Sequence, residues 1–141
     1  MSEQLDHASR AHALLSPSGS HRWMNCTPSA RLEEPLPDST SAAAEEGTVA
    51  HELAEYALSK YLAGGYMPLL DELPTPKEIS ESKYYSPEMD KYVTDYVCYV
   101  CDIFEMCGDA KMYLEREFDL TSYVNECFGS CDCAIEGTNI L

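Results

Sequence analysis

The chain has 141 residues, of which 45% are hydrophobic, enough for one domain with a real core. Its 25 acidic side chains against 9 basic ones give a formal charge of −16, which argues against direct nucleic-acid binding through a broad basic surface and suits solubility or a basic partner. No basic-then-apolar leader and no apolar run of roughly 18 residues is found, so a soluble, intracellular chain is expected.

Residues 1–15 are polar, with His7 and His12 scattered through them, and read as a flexible N-terminal tail. Residues 16–141 read as a single domain. Its first element is a short helix started by Ser16-Pro17-Ser18-Gly19-Ser20 and closed by Pro28, with Trp23 as its anchor to the core. A loop carrying Pro35 and Pro37 leads to a long helix over 41–63 that ends at Gly64-Gly65. Ala50, Leu53, Ala54, Ala57, Leu58 and Tyr61 share one face of it, and His51 and Glu55 sit together at the border of that face. Gly47 interrupts the helix early, and Thr48 is placed to cap it again.

Three prolines mark 64–86 as a connection. Ser86-Pro87 then pairs an N-cap with proline at the first helical position, and Glu88 and Asp90 favour the helix N-terminus electrostatically. This second long helix runs to Cys107 and stops at Gly108. Met89, Val93, Tyr96, Val97, Val100, Ile103, Phe104 and Cys107 give it a wide apolar stripe, the mark of a central, well-buried helix.

From Lys111 to Leu120 apolar and polar residues alternate, predicting a strand with one buried face on which Arg116 fits poorly. Phe128–Ile135 predicts its antiparallel partner, a buried strand that carries one acid, Asp132. A buried carboxylate needs a partner, which makes Asp132 a candidate site residue, with Arg116 across the hairpin as the plain structural alternative. Glu136-Gly137-Thr138-Asn139 reads as a tight turn, and Ile140-Leu141 as the start of a further strand. Helices first, including one long central helix, then a C-terminal antiparallel β-hairpin, make the class α+β.

Seven cysteines, at 26, 98, 101, 107, 127, 131 and 133, are an odd number and predict buried thiols. A zinc or iron–sulfur centre needs four converging ligands, and neither Cys98-X-X-Cys101 nor Cys131-X-Cys133 supplies them alone. No cofactor is predicted from the residues themselves. Glu88, Asp95 and Asp102 recur every seven residues along the exposed side of the second long helix, with Glu105 extending the row. Such a row is a solvated face, or a surface that imitates nucleic-acid phosphates to a basic protein. Ten tyrosines in the chain, several near these acids, suit a polar and aromatic interface.

Three pieces in order resemble the PD-(D/E)XK nuclease superfamily, most closely its RecB-like branch with its CRISPR-adaptation exonucleases and a phage and prophage family of unknown function. They are Ser16-Pro17-Ser18…Trp23…Cys26-Thr27-Pro28, then Gly47-Thr48-Val49-Ala50-His51-Glu52-Leu53-Ala54-Glu55, then Phe128-Gly129-Ser130-Cys131-Asp132. The resemblance implies that His51 and Asp132 are metal ligands, for Mg²⁺ or Mn²⁺, in a partial nuclease core. It places the Asp/Glu-X-Lys motif just past Leu141, so the core implied is cut short before its lysine. Among iron–sulfur members of that branch one cysteine lies early, which makes Cys26 the candidate here. From charge and resemblance together, the expected function is that of a phage- or prophage-derived, catalytically incomplete protein in the host cytoplasm. It would bind and inhibit a host nucleic-acid enzyme through Glu88, Asp95, Asp102 and Glu105, an RNA-guided CRISPR nuclease being the concrete case. The alternative is the N-terminal part of a metal-dependent exonuclease.

Overall fold

The structure, a computed structural model, describes residues 13–36, 40–64 and 73–137. The order of elements is α1 (Ser20–Asn25), α2 (Ser29–Glu33), α3 (Ala42–Gly64), α4 (Lys77–Ser80), α5 (Pro87–Met106), β1 (Lys111–Asp119) and β2 (Phe128–Glu136). The two strands pair as an antiparallel hairpin, and the class is α+β with a long central helix. The turn through Asn139 and the strand begun by Ile140 lie outside the described residues, as do residues 1–12 of the expected tail.

The described residues form two compact units, one holding residues up to 36 with 115–131, the other holding 40–114 with 132–137. In the first, Pro28 separates two short helices, α1 and α2. Five residues of α2 lay below what apolar spacing reveals. Trp23 does not reach a core: it is half-buried, and its Nε1–H donates to the Ser16 carbonyl at 2.9 Å, closing the turn that starts α1. Neither α1 nor α2 buries a residue. Leu15 N–H donates to the Glu126 carbonyl at 3.3 Å, and Arg31 bonds the Glu126 carboxylate at 2.7 Å. That ion pair joins positions 95 apart, and no local pattern announces it.

The second unit is built on α3 packed against α5. Ser41 caps α3 by accepting the Ala44 N–H at 3.1 Å. The helix then runs through Gly47 without a break, and Thr48 does not cap it again but donates its hydroxyl to the Ala44 carbonyl. Val49, Leu53, Ala54, Ala57, Leu58 and Tyr61 are buried from α3, and Met89, Val93, Val97, Val100 and Cys101 from α5. Leu53 and Cys101 are both fully buried. Tyr61 and Phe104 meet edge to face, ring centroids 6.2 Å apart, while the Tyr61 hydroxyl donates to Glu105 at 3.0 Å. Ile79 of α4 and Met112 of β1 complete this core.

The start and stop of α5 follow local chemistry. Ser86 accepts the Met89 N–H at 3.3 Å, Pro87 occupies the first turn, and Gly108 takes φ +67° just past the end. Ser86→Ala leaves that N–H without its cap and is expected to lower stability by about 0.5–2 kcal/mol, read as a shift in the urea midpoint at constant slope. Tyr96, expected in the buried stripe, is instead 42% exposed, because α3 covers only the Met89–Val93–Val97–Val100 side.

The hairpin departs most from expectation. Glu115 adopts φ 52°, which turns the strand out of simple alternation, and Phe118 ends up exposed. No residue of β2 is buried. The expectation that Asp132 sits in a hydrophobic strand therefore fails: its side chain is 50% exposed, and water as well as protein solvates it. Among the cysteines, Cys101 and Cys127 are buried, Cys98, Cys107 and Cys133 half-buried, and Cys26 and Cys131 exposed, so only two meet the expectation of a buried thiol.

Candidate functional site

His51 stands on α3 one residue from Ala50 and two from Leu53, at the edge of the buried stripe, so the helix holds its backbone while the ring faces outward. Asp132 is the middle residue of β2, in the same unit. His51 Nδ1 lies 3.1 Å from Asp132 Oδ2, with the two side chains 47% and 50% exposed. At that distance a proton on Nδ1 can be shared with the carboxylate. Arg116, the alternative partner foreseen for Asp132, has its guanidinium over the Phe118 ring, 5.4 Å from the centroid.

The separation suits a divalent ion as well as a proton. Two adjacent ligands of an octahedral ion, each at about 2.1 Å from it, stand about 3 Å apart. One nitrogen and one oxygen, solvent-accessible and preset at that spacing, can hold a hard cation that keeps several waters, and the imidazole favours Mn²⁺ over Mg²⁺. Among the described residues no group of three or more His, Cys, Asp or Glu side chains is placed to hold a metal. Two donors from the described residues would leave most positions of an octahedral ion to water or other ligands. Cys26, the cysteine that the nuclease resemblance singled out as a candidate, is exposed on the C-cap of α1.

The other motif pieces also settle on β2. Gly129 faces Pro17 so closely that an added Cβ would stand 3.1 Å from Pro17 Cδ, which is a reason for glycine there. The Ser16-Pro17-Ser18 turn and the Gly129 end of the strand are therefore in contact within the first unit. The same turn lines a cavity of about 480 Å³ with Arg22, Trp23 and Glu33, where Arg22 and Glu33 pair at 2.8 Å.

Along α5, Glu88, Asp95, Asp102 and Glu105 are all exposed. They differ in freedom: Glu105 accepts from Tyr61 and Glu88 from Tyr92, at 3.0 and 3.3 Å. Tyr92 and Tyr99 stand between the acids, 62% and 64% exposed. No helix among the described residues is long and apolar enough to cross a membrane.

Residues 12–141 match the family described as "Protein of unknown function (DUF2800)". No solved structure matches the chain.

Proposed function

This chain belongs to the DUF2800 family, whose function is unknown, and from that starting point we propose that it contributes His51 and Asp132 to a divalent-cation site of the RecB-like PD-(D/E)XK nuclease kind. The observation that carries the proposal is the 3.1 Å approach of His51 Nδ1 to Asp132 Oδ2, side chains 81 positions apart in sequence (132 less 51), each of which stands in a stretch that resembles a ligand-bearing motif of that superfamily. The substrate class is a nucleic-acid phosphodiester. A bound Mn²⁺ or Mg²⁺ supplies an acidified water and positive charge against the phosphate oxygens. The chain's own part is to hold two donors on rigid elements: α3, fixed through Leu53 and Ala54, sets the imidazole, and β2 sets the carboxylate. A charge of −16 argues against a broad basic surface for nucleic acid, so substrate binding would depend on the cation.

Calorimetric titration with Mn²⁺ tests this reading. Unmodified protein is expected to bind, and His51→Ala and Asp132→Ala are each expected to weaken affinity by at least about tenfold. Equal Mn²⁺ affinity in all three proteins would sink it.

A second reading is favoured by the exposed α5 face, where Asp95 and Asp102 flank Tyr99 and Glu88 lies beside Tyr92. On that reading a phage- or prophage-derived protein acts in the host cytoplasm by occupying the basic groove of a nucleic-acid enzyme, such as an RNA-guided CRISPR nuclease. Charge reversal at Asp95 and Asp102 would then abolish inhibition while leaving Mn²⁺ binding alone.

A further inference from the structure

Gly47 lies inside a 23-residue helix, where glycine is disfavoured relative to alanine, and nothing among the described residues explains it. A Cβ built there meets no atom within 4 Å, so neither close packing nor an unusual φ asks for glycine. The space above it is a groove of about 360 Å³ between the first turns of α3 and α5. Ala50, Met89 and Val93 give it an apolar floor, Tyr92 forms a wall, and Glu46 and Glu88 stand at the rim. The Tyr92 hydroxyl donates to Glu88 at 3.3 Å, which holds that rim carboxylate in place.

We propose that this groove docks a helical segment of a partner protein, an apolar ridge flanked by Lys or Arg. The apolar floor takes the ridge, the absent Cβ at Gly47 lets the partner's backbone come close, and the two carboxylates pair with the flanking cations. Charge selects the occupant. A second copy of this chain, also at −16, would bring acids against acids, and a nucleic-acid strand would bring phosphates to Glu46 and Glu88. The groove uses neither His51 nor Asp132, and it shares Glu88 and Tyr92 with the outer α5 face but not Asp95, Asp102 or Tyr99.

The test uses the full chain without divalent metal and a fluorescent amphipathic peptide with Leu along one helical face and Lys and Arg beside it. A matched peptide with Glu in place of the basic residues is the control. The basic probe is expected to bind and the acidic one not, with backbone NMR shifts centred on residues 43–50 and 86–93. Gly47→Leu should weaken the basic probe by about tenfold or more. Gly47→Ala keeps the helix at least as stable and serves as the folding control. Combined Glu46→Lys and Glu88→Lys should weaken binding and flatten its salt dependence. Unchanged binding in Gly47→Leu would overturn the proposal. So would loss on Asp95→Lys with Asp102→Lys but not on Gly47→Leu, or a single-stranded oligonucleotide that binds tighter than the peptide and is blocked by Gly47→Leu.

Discussion

Leu53→Ala is expected to remove about 2–5 kcal/mol of stability, a large share of the roughly 5–15 kcal/mol that a domain of this size commands. Leu53 is fully buried on α3, in the core that also holds Val97 and Cys101 of α5. The variant loses the transfer energy of the deleted carbons and the dispersion contacts of the cavity left behind. A helix cannot move sideways to fill that cavity while Ala54, Ala57 and Leu58 hold the same face. Urea denaturation followed by circular dichroism measures the loss, and Tyr123→Ala, at a side chain 85% exposed, should stay within about 0.5 kcal/mol of the parent. A Leu53→Ala midpoint no lower than that of Tyr123→Ala would mean that α3 and α5 do not form the main core.

Alkaline pH is the second strong lever. Burial, then the neighbouring Cys98 and nearby acids, pushes the Cys101 thiol up from 9.0 to about 11. Burial and the hydrogen bond to Glu105 raise the Tyr61 phenol above 10.0, and the bond to Asp90, then burial, does the same for Tyr85. All three groups are neutral when protonated, and all three keep their protons longer in the folded chain than in the unfolded one. The unfolded chain therefore binds fewer protons once pH passes 9, and folding stability falls as pH rises. The contribution of Cys101 is intact below pH 9 and is lost by about 11, with the phenols extending the decline beyond 10. Stability measured between pH 7 and 11 should stay level at first and then drop. Cys101→Ala should flatten the first part of the drop, and Tyr61→Phe the later part. A Cys101→Ala curve parallel to the parent's through that window would refute the assignment.

Fold class and long helices were legible because their signals are local. Ser86-Pro87 and Gly108 bound α5 through the hydrogen-bonding needs of its own ends, and the spacing of Leu53, Ala57, Leu58 and Tyr61 declares the buried face of α3. The same reasoning erred where one face has two possible neighbours. Tyr96 continues the apolar stripe of α5, yet only packing decides how wide a stripe is covered. Phe128–Ile135 is apolar enough for a buried strand, yet only Cys133 and Ile135 pack against the core, each in part, and Asp132 ends half-exposed.

The candidate site divides in the same way. Residue type and motif order singled out His51 and Asp132 as separate candidates, because an imidazole at a helix edge and a lone carboxylate in an apolar strand are visible one by one. That they meet at 3.1 Å depends on where β2 falls beside α3, a long-range register that no local pattern encodes. By itself the sequence determined the two long helices, the Ser86 cap and Gly108 stop of α5, the acidic charge and the residue types able to bind a cation, all set by near-neighbour chemistry. The tertiary structure alone decided which of those residues touch, which tyrosines face water and where a groove opens over Gly47, since each depends on surfaces brought together from distant parts of the chain.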